Sequence, residues 1–332
     1  MGTTSKKSGG KKSVKKAAST VKKHRKSKGF VAFVCILVIA LALLYLFGPR
    51  DVIITLVYDY TGIILPEALP WEYKDAPVDA ELVLSQSSEA GAELSGDLPA
   101  ALEIPLCSHT DDSHEVHQYA GFALCYREQY EQAEWVAYEI NTAELVKEAG
   151  RTDDFRPDPN ISTGSASLAD YKGSGYDRGH LAPAADMAFS HQTMSESFYM
   201  SNMSPQAGGF NRGVWKDLEA NVREWAEEFG SVYVISGPVL EKDEYPTIGE
   251  NAVAIPEYYY KVLFAPEGRD GKAEMIGFLL PNEKTKEDYF AFVVPVDEIE
   301  QRTGLDFFHS LPDNAETSLE SQSHPEAWQE LQ

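Results

Sequence analysis

Cysteine is scarce in this 332-residue chain: there are three, Cys35, Cys107 and Cys125, and Cys35 lies inside an apolar run. One bridge, Cys107 to Cys125, is therefore the most that can be considered, with two buried thiols as the competing reading. Two cysteines establish no compartment. No Gly-x-Ser-x-Gly and no Walker-type loop occurs, and Gly173-x-Gly175 precedes no phosphate-cradling helix, which removes those nucleophile and nucleotide chemistries. Internal repeats are also missing. Acidic residues are absent from positions 1–28, which carry 11 Lys and Arg, so 18 basic residues face 52 acidic ones in the remainder, about −34. A body this acidic repels polyanions at long range, and any contact with nucleic acid must be a local basic or metal site.

What is present is a core-forming composition, 43% hydrophobic and 11% aromatic, enough for one catalytic-size domain with extensions. From Phe30 to Phe47 the chain reads FVAFVCILVIALALLYLF, eighteen residues without a charge, long enough to span a bilayer. The lysines and arginine at 6, 7, 11, 12, 15, 16, 22, 23 and 25 predict that the N-terminus stays cytoplasmic and that everything after Arg50 lies across the membrane. A cleaved signal peptide is the rival, but the run is longer than a usual signal core and nothing like Ala-x-Ala follows it before Gly48-Pro49-Arg50. The lysine tail would also bind phosphates, yet on the cytoplasmic side it could not feed a site outside.

The organisation expected is a basic cytoplasmic tail (1–28), a transmembrane anchor (29–48), a juxtamembrane segment and linker (49–105), a folded domain (106–312) and a polar C-terminal tail (313–332). Within the domain, 121–128 and 133–140 read as a β-hairpin, and 231–240, 258–265, 274–280 and 290–296 as short strands. Val214, Trp215, Leu218, Val222, Trp225, Ala226 and Phe229 recur at three and four, predicting one strong helix that Gly230 ends; a shorter one runs from near Asp297 to Gly304. Strands and helices without βαβ alternation predict an α+β fold around a mainly antiparallel sheet.

The polar residues that packing does not explain cluster in YDRGHLAPAADM (176–187) and the stretch from 198 to 225. Asp177-Arg178-Gly179-His180 sets a planar cation beside an imidazole, a pair suited to phosphodiester cleavage, although a hydrogen-bonded core histidine is the commoner fate of such a residue. Projected back along the helix, Asn211 falls within about 20° of Leu218 on the apolar stripe, where an amide needs a partner. A hard cation such as Mg²⁺ would suit it, and an N-cap is the alternative. Glu219 is eight residues further, placed either to reach the ion through water or simply at the surface. Asn202 and Gln206 read as turn-closing amides. His109, His114 and His117 with Asp111 and Asp112 match no standard zinc spacing.

In order, WVAYE (135–139), FRPDP (155–159), DYKGSGYDRGHLAPAADM (170–187), SNMSPQAGGFNRGVWKDLE (201–219), VYVISGPV (232–239), IPEYYYKV (255–262) and VDEIEQRTGLDFF (296–308) make residues 106–312 resemble the DNA/RNA non-specific endonuclease family, which includes secreted bacterial nucleases and mitochondrial endonuclease G. The resemblance implies a ββα-metal (His-Me finger) unit and cleavage of DNA and RNA to 5′-phosphate ends. His180 would be the general base, Asn211 the one direct protein ligand of Mg²⁺, with Mn²⁺ able to substitute. Glu219 would hold a water of the ion, Arg178 would sit at the phosphate, and Asn202 would support the site. A further arginine for the transition state is assigned to Arg151, with Arg156 the alternative. Expected partners are DNA and RNA as substrates, the membrane through residues 29–48, and a second copy in a homodimer. The competing class is a membrane-tethered nucleic-acid-binding or uptake module without catalysis.

Overall fold

A computed structural model describes residues 98–107 and 113–329. The basic tail, the apolar run with Cys35, and His109, Asp111 and Asp112 lie outside the described residues, as does the side chain of Cys107 and hence its pairing with Cys125. Among the described residues no helix is long and apolar enough to cross a membrane.

The chain forms β1 (Leu106–Cys107), β2 (His114–Gln118), β3 (Ala123–Arg127) and β4 (Gln132–Asn141), then helix α1 (Leu168–Tyr171), β5 (Tyr176–His180), α2 (His191–Glu196) and β6 (Met203–Ala207). Helical turns at 208–215 lead into α3 (Lys216–Phe229) and β7 (Ser231–Pro238). There follow β8 (Thr247–Ile248), β9 (Val253–Ala254), β10 (Tyr258–Ala265), β11 (Glu274–Pro281) and β12 (Val293–Val294). The end comprises α4 (Val296–Thr303), β13 (Leu305–Asp306), α5 (Asp313–Glu320) and α6 (Pro325–Trp328). Seven strands make one antiparallel sheet in the order β12-β11-β10-β7-β4-β3-β2, and β5 with β6 forms a separate antiparallel pair. The expected α+β architecture around a mainly antiparallel sheet is the one observed.

The strand period of two divides the core. Val136, Tyr138, Val234, Tyr259 and Leu263 face α3 through Leu218, Val222, Trp225 and Phe229. Their neighbours Trp135, Ala137, Ile235, Tyr260, Val262 and Phe264 face the other way, onto Val296 and Ile299 of α4 and Leu319 of α5. Both faces are covered, so strands such as β10 are buried almost throughout. The β5–β6 pair is tied to this sheet by polar contacts: the Ser236 hydroxyl donates to the Leu181 carbonyl at 2.8 Å, and the Tyr259 hydroxyl donates to the Pro205 carbonyl at 3.0 Å.

Several expectations need correction. The predicted helix does not run unbroken through Val214 and Trp215, because Gly213 (φ −110, ψ −119) leaves helical geometry and 211–215 form a wide turn before α3. The run 290–296 is mostly a 3₁₀ turn, Tyr289–Phe292, with only Val293–Val294 pairing at the sheet edge; Pro295, lacking an N–H, cannot extend the ladder. Folded structure starts before Leu106, since Leu102 is buried and Leu98 and Ile104 pack on the same core. The expected polar tail is folded over residues 313–329. It folds into α5 and α6, and Trp328 inserts against Trp225 (ring centroids 5.1 Å) and Phe229 (5.4 Å) while its carbonyl accepts from Trp225 Nε1 at 2.7 Å. Trp328→Ala removes a fully buried indole from the end of α3 and is expected to cost about 3–5 kcal/mol, read as a lowered urea midpoint with an unchanged slope; an unchanged midpoint would show that this docking does not support the fold.

Candidate active site

Two residues apart on β5, Arg178 and His180 share one face of the strand. Gly179 between them turns to the opposite face, where the buried Gln206 side chain lies so close that an added Cβ would stand 2.0 Å from its Cδ. Behind the strand end, Asn202 is fully buried and fully bonded: its Nδ2 donates to the carbonyls of Ala182 (2.9 Å) and Ser197 (2.8 Å), and its Oδ1 accepts from the Ala182 amide at 2.9 Å. It holds the backbone just past His180 and does not itself line the cleft.

The His180 ring stands edge-on to Phe198 (5.0 Å) and Phe155 (5.8 Å), and its Nε2 is buried without a hydrogen-bond partner among the described residues. Burial, and then the charges of Arg151 and Arg178, hold its pKa down at about 3, so the ring is neutral at pH 7. Each arginine lies over one of the same rings, Arg178 4.2 Å from the Phe155 centroid and Arg151 4.8 Å from that of Phe198. A cleft of about 330 Å³ is lined by Arg151, Arg178, His180, Asn211 and Glu219, together with Arg212, Lys216 and Arg223. Arg156, the alternative to Arg151, is committed elsewhere. Its guanidinium bonds the Asp154 carboxylate (2.8 Å), the Ser195 carbonyl (2.9 Å) and the Ser195 hydroxyl (3.0 Å), and it packs over Tyr199.

The break at Gly213 keeps Asn211 off the apolar stripe and leaves it half-buried in the cleft wall. Its Nδ2 donates to Asp177 Oδ2 at 3.0 Å, and Asp177 is itself engaged by Arg212, so the amide is oriented with its nitrogen inward. That leaves Oδ1 for the cleft, and a carbonyl oxygen is a donor a hard divalent cation accepts. The residues present therefore fit one weakly held Mg²⁺-type ion. Glu219, on the first turn of α3, is half-buried; burial pushes its carboxyl up, opposed first by the ammonium of Lys261, while Asp186 adds to the rise and Arg223 resists it. Lys261 comes from the middle of β10. It is fully buried, its Nζ lies 4.6 Å from the Trp215 centroid, and no hydrogen bond satisfies it among the described residues.

Asp186 completes this layer by accepting from Arg223 at 2.6 Å and from the Tyr138 hydroxyl at 2.7 Å. Sequence reasoning passed over Lys261, Asp186 and Arg223, although a lysine inside the eight-residue apolar run YYYKVLFA is itself a signal. The His114–His117 group does not form one cluster, since His114 faces Glu134 at 3.5 Å and His117 faces Glu115 at 3.1 Å.

A sequence model of the DNA/RNA non-specific endonucleases matches residues 106–314. The chain belongs to the DNA/RNA non-specific endonuclease family. Nuclease C1 of Cunninghamella echinulata var. echinulata is 37% identical over 206 residues, covering 57% of this chain and 81% of the relative. The mitochondrial nuclease EXOG of Danio rerio is 36% identical over 207 residues, 58% of this chain, and the matched part spans 60% of that relative. A crystal structure of an EndoG/EndoGI complex aligns with a TM-score of 0.55 at 33% identity, covering 59% of this chain and 86% of that one. The endonuclease-family chain is thus a hydrolase by membership, and its β5–β6 pair followed by α3 is the element that carries the cleft.

Two outcomes separate the arginines and test the buried lysine. Arg151→Ala should leave the unfolding midpoint within about 0.5 kcal/mol while lowering cleavage, whereas Arg156→Ala, which strips three half-buried acceptor contacts at once, should destabilise the fold by about 1–3 kcal/mol; the reverse pattern in paired melts and rate assays would exchange their roles. Lys261→Met removes the charge that favours ionised Glu219, so cleavage at pH 7 should fall about tenfold per unit of the resulting upward shift and recover as pH rises. A pH–rate profile that does not move would show that Lys261 serves packing alone.

Proposed function

We propose that this nuclease hydrolyses DNA and RNA without sequence preference, leaving 5′-phosphate ends, with His180 as general base and one Mg²⁺, replaceable by Mn²⁺, held by Asn211. The observation that carries this reading is the convergence in one cleft of a neutral imidazole, two aromatic-backed guanidinium groups and an oriented amide oxygen. When bound, the ion supplies charge stabilisation at the scissile phosphate and an acidified water for the leaving 3′ oxygen.

The chain's own groups do the rest. Arg178 and Arg151 bind phosphate oxygens through planar forks whose aromatic backing limits their motion. Burial, and after it these same two charges, depress His180 in the free protein. A bound phosphate neutralises them, so His180 gains basicity when substrate arrives and takes a proton from water in line with the scissile bond. Glu219, whose carboxyl burial raises to about 7 against the pull of Lys261, would in its ionised form orient water at the ion. Contacts of this kind reach sugar and phosphate rather than base edges, which accounts for indifference to sequence. The cations lining the cleft also answer the acidic body, because within a Debye length of about 8–10 Å a substrate feels these charges more than the distant surface.

The same proposal puts the enzyme at a membrane as a single-pass protein, its N-terminus cytoplasmic and its catalytic domain outside, on the strength of the uncharged run Phe30–Phe47 and the lysines before it. The reaction is tested by digesting plasmid and RNA with Mg²⁺ or chelator. Wild type should degrade both polymers only with metal. His180→Ala and Asn211→Ala should each lose about a hundredfold or more while unfolding normally, and chelator-resistant cleavage or an active Asn211→Ala would remove the metal assignment.

A further inference from the structure

On the face of the sheet opposite α3, the helices α4 and α5 bring three carboxylates together. Asp297 and Glu300, three apart on α4, lie on one side of that helix, and Glu320 is the last residue of α5. One oxygen from each lies within 4.8 Å of the other two. The group is graded in depth, with Asp297 exposed, Glu300 half-buried and Glu320 only 5% exposed.

Glu320 is the anomaly. Its Oε1 is buried and has no hydrogen-bond partner among the described residues. Other buried acids among the described residues are compensated: Asp158 accepts from Ser201 and Tyr119, Asp170 from Ser167 and Asn251, Asp186 from Tyr138 and Arg223, and Glu134, whose Oε1 also lacks a hydrogen bond, pairs with Arg127 and faces His114. Glu274, also lacking a bond at Oε2, faces His324 and Lys272. Around Glu320 the leading charges are all of its own sign, Glu300, Glu316, Asp297 and Asp306, and together with burial they push its carboxyl up to about 10. A buried carboxylate requires a proton, a cationic side chain or a metal ion. Among its leading neighbours no cationic side chain is found.

We propose that Asp297, Glu300 and Glu320 form a second, non-catalytic divalent-cation site that takes Ca²⁺ and fastens α5 to α4. The donor set is hard oxygen throughout, with no histidine or cysteine to favour zinc. Calcium–oxygen distances of about 2.3–2.6 Å give a coordination shell about 4.6–5.2 Å across, which accommodates three oxygens no further apart than these; the Mg²⁺ shell, about 4.2 Å across, is smaller. Glu300 keeps one oxygen for an ion while Oε1 accepts from the Phe307 amide at 2.8 Å, a bond that also orients the carboxylate. The exposed side at Asp297 admits the waters that complete six to eight ligands.

The test uses the full chain with Asn211→Ala as background, so that calcium at the proposed catalytic position does not contribute. Thermal unfolding in EGTA and in saturating Ca²⁺, with calorimetric titration of Ca²⁺, should show one binding event and a rise in midpoint of about 5 °C or more. Adding Glu320→Gln should abolish both the heat and the rise, and in EGTA it should unfold no earlier than its parent because the amide matches the protonated carboxyl that Glu320 carries without an ion. Asp297→Asn, at an exposed position that does not threaten folding, should weaken calcium binding at least tenfold. Calcium binding and stabilisation that persist unchanged in both variants, or no calcium response in the Asn211→Ala background, would overturn the site. Since cleavage is not the readout, failure here leaves the nuclease reading untouched, and loss of the nuclease reading leaves this one.

Discussion

The cleft depends on the antiparallel pairing of β5 with β6, and on the way that pair is pinned to a sheet it does not join. Pairing alone sets Gly179 opposite Ser204 and His180 opposite Met203. A two-stranded ribbon is marginal in water, so its position has to come from outside. Ser236 and Tyr259 provide this from the central strands β7 and β10, and Asn202 holds the backbone with two side-chain bonds at Ala182 and a third at Ser197. These contacts are buried and satisfied, which makes the ribbon rigid where the imidazole projects. The glycine of the motif belongs to this constraint more than to the chemistry, because the Gln206 side chain occupies the space that a Cβ would need.

From that rigid base the electrostatics follow. The imidazole stands edge-on to two mutually packed phenylalanines and is faced by two arginines, an environment that disfavours its protonation in the free protein. Arg178 is backed by Phe155, and Arg151, backed by Phe198, also pairs with the exposed Asp153 at 2.7 Å, so both guanidinium groups are held at the cleft wall. A locally cationic site inside a body of strong net negative charge is thereby maintained by packing, and the acidic remainder limits non-specific adhesion to polyanions away from it.

Much of the fold was legible because the strands are short, β-rich and punctuated, and because α3 repeats its apolar residues at helical spacing up to Gly230. The start of that helix was not. Val214 and Trp215 are buried as a helical pattern demands, but burial is reached through a wide turn, and periodicity cannot distinguish the two. The same ambiguity misplaced Asn211 on the stripe. His180, Arg178, Glu219 and Arg151 could be named from motif and resemblance, and they line one cleft, while Asn202 proved to stand behind it. The supporting layer of Lys261, Asp186 and Arg223 was illegible because its members lie on three separate segments and meet only through the sheet. The C-terminal segment misled for a compositional reason: many polar residues surround one tryptophan, and one deeply inserted indole is enough to dock the chain.

The two faces of the sheet treat buried charge in opposite ways. Beneath the catalytic cleft, Glu219 has Lys261 and Arg223 to offset Asp186, so the layer carries two cations against two acids and holds a carboxylate near its ionisation point. On the far face, α4 and α5 bring acids together and leave them without a comparable counter-charge. Packing of Val296, Ile299 and Leu319 against the sheet fixes those helices whatever the acids prefer, so the repulsion cannot relax by separation and must be met by a proton or a cation. At neutral pH a divalent ion has to displace the proton that this raised carboxyl holds, and where it does so the stability of this end of the domain becomes a function of the ion outside it.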